Sequence, residues 1–342
     1  MFLADSYVHD LSPYALDLGG GFGIRWYGLS YLTGIIAGWL IIGWFARTGR
    51  SLLRPNQVGD FMIWMVVGVV LGGRLGYVLF YSPDLILKFS ASFPFWGVLE
   101  INKGGMASHG GILGVMIACL LYGIRYRIVP WHLYDCVAFC APIGLGLGRV
   151  ANFINGELPG RPVPAAWQAD PPSWSVKYPD DIMSPDFANG PQVDAAAVLV
   201  SIPPDSGLWE IRAAIRDAVY QGRSDVAEAI SPYLTAFYPS QVFQAITDGL
   251  LLFIVLALVW LRPKRPGIVG GSFLIAYGLL RIVSEQFRAQ YLTEWGVSSI
   301  WPAAGLSAVM ILIGALVVIW CASRNVPRIG GLLPKGPIET DG

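Results

Sequence analysis

Charge is scarce in this chain. Of its 342 residues only 13% are Asp, Glu, Lys or Arg, about half of the ~25% usual in soluble domains. The 23 basic and 23 acidic side chains cancel, which excludes a bulk basic surface for nucleic acid and leaves anion binding to a few placed arginines. There are only 3 histidines and 4 cysteines. Cys119, Cys136, Cys140 and Cys321 all fall in apolar stretches, where a secreted-type disulfide framework is not placed, so they read as packing residues. No internal repeat is present, which argues against a transporter built from inverted halves. The first ten residues lack a basic segment followed by an apolar one, so no cleaved signal peptide is expected.

Apolar residues are what is abundant: 54% are hydrophobic and the mean hydropathy is +0.55. The fold class this predicts is an all-α integral membrane protein. Seven stretches, near 26–46, 58–81, 109–124, 133–151, 239–261, 268–287 and 301–321, approach the ~20 apolar residues that cross a bilayer. Between spans four and five lies a segment rich in Pro and Asp, running through Trp167 and Trp174, which reads as a small extracytoplasmic head. The expected organisation is therefore 1–154 with four spans, 155–238 as the head, and 239–342 with three spans and a tail. Within the head, Leu208, Ile211, Ile215 and Val219 recur at helical spacing and predict an amphipathic helix from Leu208 to Tyr220. The stretch 180–206 reads as the part of the head most open to disorder.

Basic residues follow alternate spans: Arg47, Arg50 and Arg54; Arg125 and Arg127; Arg262, Lys264 and Arg265; Arg324, Arg328 and Lys335. The positive-inside rule then places the N-terminus outside and the C-terminus in the cytoplasm, with the head on the outer face.

Against this background the run Gly144 to Gly160 stands out, because it closes an apolar segment with Arg149, Asn152, Asn155 and Glu157. An arginine at the centre of a span costs roughly 2.5–3.5 kcal/mol on insertion scales, so such a residue marks a functional site or a buried pair. Arg74 in the second span and Arg281 in the sixth raise the same question. For Arg74, a structural pairing and a functional role weigh equally. The sixth span carries Tyr277, Arg281, Glu285 and Arg288 at helical steps, which puts them on one face. Arg281 and Glu285 could form a purely structural i,i+4 pair, yet guanidiniums from two helices also make a bidentate cradle for phosphate or carboxylate. The small-residue steps Gly144-x3-Gly148 and Gly68, Gly72, Gly76 allow close helix packing.

The glycine-rich run Gly104 to Gly114 brings His109 to the mouth of the third span. An imidazole exchanges protons near neutral pH, and glycines let backbone approach a ligand, so His109 is a candidate base. Its expected position on the outer side makes it, with Arg149 and Arg281, a wall of one anion site. The spacing His132-x3-Cys136-x3-Cys140 resembles a metal set, but three ligands strung over about 12 Å of one helix do not converge tetrahedrally. Neither a metal nor a cofactor is expected. Gln241, Gln244 and Asp248 form a polar stripe entering the fifth span, lining the same cavity or bonding neighbouring helices. No span holds a lysine, as a retinal receptor requires, and Ser108 beside His109 cannot make a helix-based protease dyad because i,i+1 side chains diverge. A transporter of organic anions or lipids with a buried arginine site remains the alternative class, although the polar residues gather on the outer half rather than on a path through.

These motifs resemble the bacterial prolipoprotein diacylglyceryl transferase family. The matching blocks are Arg25-Trp-Tyr-Gly28, Gly104-Gly-Met-Ala-Ser-His-Gly-Gly111, Gly148-Arg149-Val-Ala-Asn152-Phe-Ile-Asn155-Gly-Glu157-x-x-Gly160, Tyr238-Pro-Ser-Gln241, and Tyr277-Gly-Leu-Leu-Arg281-x-x-x-Glu285-x-x-Arg288, in the family's order. The chain departs where the family usually has Tyr-Glu after the Tyr-Pro-Ser-Gln block: here Val242-Phe243-Gln244 leaves no carboxylate. Ser108 stands where an aromatic usually precedes the histidine, and the outer loop is longer.

The resemblance implies a multi-pass protein of the bacterial inner membrane that works from the outer face. Its partners would be phosphatidylglycerol, other membrane lipid, and preprolipoprotein signal peptides with a lipobox cysteine. The diacylglyceryl group would pass to that cysteine thiol as a thioether, and glycerol 1-phosphate would leave. By residue, it implies His109, Arg149 and Arg281 as catalytic, and Tyr27, Arg149, Asn152, Asn155, Glu157, Tyr277, Arg281, Glu285 and Arg288 as holding the lipid headgroup.

Overall fold

The apolar stretches fold as the sequence predicts. The computed structural model describes residues 6–18, 23–101, 104–185, 187, 189–203, 205–289 and 300–333. In chain order the elements are β1 (Tyr7–Val8), β2 (Tyr14–Asp17), β3 (Gly23–Arg25), α1 (Trp26–Arg47), α2 (Val58–Phe80), α3 (Ser108–Tyr126), α4 (Pro130–Ile154), β4 (Val176–Lys177), α5 (Gly190–Asp194), α6 (Leu208–Tyr220), α7 (Ser224–Ile230), β5 (Ala236–Phe237), α8 (Ser240–Gln244), α9 (Leu252–Val259), α10 (Ile268–Glu285) and α11 (Ile300–Ser323). Among the described residues seven helical segments are long and apolar enough to cross a membrane; the fifth, Ser240–Val259, joins α8 and α9 through a π-helical segment, Ala245–Leu251. The protein is a mostly helical membrane protein with very little strand.

By contacts the chain divides into two units. Unit 2 comprises Ile35–Ala141, Phe253–Ala276 and Ile311–Gly342. Its tightest contact is between α2 and α3, where a methyl on Gly76 would sit 2.8 Å from Gly110 Cα and one on Gly68 2.7 Å from the Gly114 carbonyl. Glycine is required here because the two backbones touch, which maximises dispersion contact where no hydrophobic drive exists between helices. Arg74 on α2 is buried, and its guanidinium donates to the carbonyls of Val98 (2.7 Å), Gly97 (2.7 Å), Gly104 (2.7 Å) and Gly105 (3.0 Å). It therefore fastens the loop that leads into α3 and serves as a structural clamp.

The first turn of α10 is capped by Asp135 of α4, whose two carboxylate oxygens accept the Gly267 and Gly270 amides at 2.7 and 2.8 Å. A carboxylate there satisfies orphan donors and the positive end of the helix dipole. The basic loops meet at the same end of unit 2: Arg50 donates to the Leu332 carbonyl at 2.8 Å, and Lys264 and Ile329 exchange backbone bonds. His132, the first residue of the metal-like spacing, accepts the Leu52 amide at 3.1 Å and lies 2.9 Å from the Ser51 hydroxyl, which ties down the loop after α1.

Unit 1 comprises Met1–Gly34, Pro142–Leu252 and Tyr277–Met310. Its head has a core of its own, formed by Ile182, Val193, Ile215, Val219, Val226 and Ile230, each fully buried. The predicted helix Leu208–Tyr220 is α6, and its inward face supplies Ile215 and Val219. Within 180–206, Ile182, Val193 and Ala196 are buried in that core, while Val198 is exposed. The N-terminal segment joins the head: β1 runs parallel to β4, and β4 is antiparallel to β5.

Substituting Gly72, whose methyl would overlap the Gly110 carbonyl, is expected to destabilise unit 2. Gly72→Leu should cost at least the ~1–3 kcal/mol typical of overpacking, visible as a lowered midpoint for thermal unfolding in detergent; an unchanged midpoint would show that α2 and α3 do not pack this closely.

Candidate active site

The end of α4 builds the site. Gly156, with φ of +66°, takes the left-handed conformation that ends helices, and the Gly156 amide donates to the Phe153 carbonyl at 2.9 Å while Glu157 donates to Asn152 at 2.9 Å. This pair of bonds is the Schellman arrangement, which favours glycine because a side chain would strain it. Its consequence is to turn Glu157 back along the helix. The Glu157 carboxylate accepts the Tyr27 hydroxyl at 2.8 Å, and Asn152, one turn earlier, donates to the same hydroxyl oxygen. Tyr27, Asn152 and Glu157 thus form one hydrogen-bonded group. Asn155, on the following turn, has its Oδ1 buried and without a hydrogen-bond partner among the described residues.

The following segment is fixed by backbone. Gly160 is wedged against the carbonyls of Tyr238 and Phe287, and Arg161 donates to Phe287 at 3.1 Å. Gln241 donates to the Glu157 carbonyl at 2.7 Å and accepts the Tyr178 hydroxyl at 3.2 Å. Tyr238 stacks on Trp174 with ring centroids 5.2 Å apart, and Arg161 lies 5.3 Å from the Tyr238 ring.

Arg149 lies in the last two turns of α4, and Asp248 in the π-helical segment stands opposite, its Oδ2 3.7 Å from Arg149 Nε. The approach depends on two glycines. A methyl on Gly249 would lie 2.7 Å from Gly146 Cα, and one on Gly146 3.0 Å from Gly249 Cα. The close pair is thus Gly146 with Gly249, whereas methyls on Gly144 and Gly148 would meet nothing within 4 Å, and Gly144 is approached only from Gly34, whose methyl would lie 3.2 Å from its Cα. Asp248 is fully buried, and Arg281 and Glu285 act on it electrostatically together with Arg149.

On α10, Arg281 Nη2 is 3.1 Å from Glu285 Oε2, the i,i+4 pair read from the sequence. Tyr277 is half-buried one turn before. Arg288 is not on the helix, which ends at Glu285; it sits in an isolated bridge with Gly160 and reaches Glu285 Oε1 at 3.5 Å from there. Three guanidiniums thus gather around two carboxylates. The group keeps a net +1, and among the described residues the Arg149 side chain makes no hydrogen bond, so its Nη donors can take a phosphate or carboxylate.

His109 is exposed, second in the first turn of α3, and belongs to unit 2. Among the described residues no group of three His, Cys, Asp or Glu side chains is placed to hold a metal ion.

Sequence reasoning passed over two supports. Asp248 was noted only within a polar stripe, although a lone carboxylate in the apolar stretch 245–261 demands a partner. His9 carried no signal at all. It is buried beside Phe153, Tyr178 and Tyr220, with Nε2 2.6 Å from the Phe153 carbonyl at the end of α4.

A family model described as prolipoprotein diacylglyceryl transferase matches residues 13–320. The chain belongs to the prolipoprotein diacylglyceryl transferase family. It is 41% identical to a phosphatidylglycerol–prolipoprotein diacylglyceryl transferase of Bdellovibrio bacteriovorus, over 94% of this chain and 96% of that protein. A protein of the same name from Rhodospirillum centenum is 35% identical over 96% and 94%, and one from Acidiphilium cryptum 36% over 92% and 93%. Membership of the diacylglyceryl transferase family thus extends over the arginine site and the head alike.

Burial holds the His9 imidazole below its ordinary value of 6.5. The unfolded chain then takes up the proton first, so stability that is full above pH 6.5 is lost as pH falls through the lower folded value. Thermal unfolding between pH 8 and 5 should show this loss in the wild type and less of it in His9→Phe; equal slopes would remove His9 as the titrating support of α4.

Proposed function

We propose that this protein transfers the diacylglyceryl group of phosphatidylglycerol to the cysteine thiol of a prolipoprotein, forming a thioether and releasing glycerol 1-phosphate. The observation that carries the reading is the arginine group of α4 and α10, present in a chain that matches this family over nearly its whole length. The sulfur forms its bond to the glycerol carbon that bears the phosphate ester, and the carbon–oxygen bond breaks with its electrons going to the phosphate. Arg149 and Arg281 face that growing negative charge, and donors held in place before reaction stabilise it most. Tyr27, Asn152, Asn155 and Glu157 orient the headgroup, while Tyr277, Glu285 and Arg288 support Arg281.

The thiol proton needs an acceptor, because a free cysteine titrates near pH ~8.5 and is mostly protonated at neutrality. His109 is the base in this reading. The acceptor is the lipobox cysteine of a signal peptide, and both substrates arrive from the membrane. The basic loops at one end of unit 2 support an orientation with the C-terminus in the cytoplasm of a bacterial inner membrane and the head outside.

Purified protein incubated with phosphatidylglycerol and a lipobox peptide should give the peptide a mass gain of one diacylglyceryl group; no gain would reject the reading. Arg149→Lys should reduce turnover by about 100-fold, since a point charge does not replace a bidentate fork, and near-normal turnover would reject the clamp. His109→Asn should lower turnover by about 100-fold or more and remove the neutral limb of the pH–rate profile, whereas an unchanged profile would exclude it as base.

A further inference from the structure

We infer that Asp248 is a positioning residue for Arg149, and that the π-helical segment Ala245–Leu251 exists to present it. The inference rests on the transferase reading above and adds a residue to it. A carboxylate beside an anion site is at first sight a mistake, because it repels the phosphate that the arginines attract. Three observations explain its presence.

The first is where the contact falls. Asp248 Oδ2 lies toward Nε of Arg149, the nitrogen nearest the backbone, at 3.7 Å. Among the described residues the terminal Nη groups make no hydrogen bond and keep their fork for a ligand. The second is how Asp248 is itself held. Its Oδ1 lies 3.2 Å from the Thr247 hydroxyl, whose single proton it shares with the Phe243 carbonyl at 3.0 Å, and Asp248 is fully buried. Burial and the Oδ1 contact restrict the carboxylate, and its Oδ2, which has no hydrogen-bond partner, is left to face Arg149. The third is the backbone. π-helical turns inside α-helices are frequent at functional sites, and here the widened turn contains both Asp248 and Gly249, the glycine in backbone contact with Gly146, three residues before Arg149. One contact sets the spacing of the two helices and the other sets the arginine.

Gln244 fits the same account. It lies one turn before Asp248, is buried, and its Nε2 has no hydrogen-bond partner. With a neutral amide there, Asp248 one turn further on is the carboxylate that the fifth span supplies to Arg149.

Charge and position predict opposite outcomes. If Asp248 acted on the anion only through its charge, Asp248→Asn would make the site more positive and the phosphatidylglycerol reaction faster. A positioning role predicts that kcat falls by about 10- to 100-fold, as misplacement of a catalytic group does, while KM for phosphatidylglycerol stays the same or drops. In an Arg149→Lys background the same change should lower kcat by less than twofold, because nothing is left to position. Asp248→Glu, which keeps the charge, should recover part of the loss. Wild-type kcat in Asp248→Asn, or an equal fold-loss in both backgrounds as a purely structural role would give, overturns the inference. If the wild type forms no thioether, the transferase reading fails on its own, and the cycle is read instead from phosphatidylglycerol binding to the detergent-solubilised protein. Asp248→Asn must then change affinity in the wild type and leave it within twofold in Arg149→Ala, and equal changes in both would overturn the pairing.

Discussion

A guanidinium inside an apolar helix must find a partner, and the fold of this protein answers that demand in two different ways. Arg74 donates to four carbonyl oxygens and lies over the Tyr77 ring, so its charge is spent on holding a loop. Arg149 and Arg281 meet carboxylates, Asp248 and Glu285, at contacts that leave guanidinium donors over. The difference separates structure from function: a guanidinium saturated by backbone has nothing to offer a ligand, while one balanced by a single buried carboxylate keeps a directed fork.

Everything around the second kind of arginine keeps it in place. Gly146 and Gly249 bring α4 and the fifth span into backbone contact, and Gly156 turns the chain so that Glu157 returns to Tyr27. The head contributes through Tyr178, which bonds Gln241, which in turn holds the Glu157 carbonyl. His9 reaches the last turn of α4 from the N-terminal segment. The head is therefore a support for the end of α4.

Much of this was legible in the sequence, for identifiable reasons. The spans follow from hydropathy alone, α6 from the spacing of Ile215 and Val219, and the Arg281–Glu285 pair from the i,i+4 rule, because each is a local property of the chain. What was hidden depends on other segments. The π-helical turn at Asp248 has no local signature and forms where Gly249 packs on Gly146. Arg74 looked like Arg149 in the sequence, and only the carbonyls of residues 97–105 set it apart. Arg288 kept the expected helical spacing yet lies past the helix end, drawn into a bridge with Gly160.

The central claim is that Arg149 and Arg281 form one cradle for a lipid phosphate. An experimental structure in a bilayer of phosphatidylglycerol tests it most directly. The account predicts headgroup density with phosphate oxygens about 2.7–2.9 Å from both guanidiniums, the range of charge-assisted hydrogen bonds. A headgroup bound elsewhere in the protein, with Arg149 and Arg281 both turned away from it, would contradict the account.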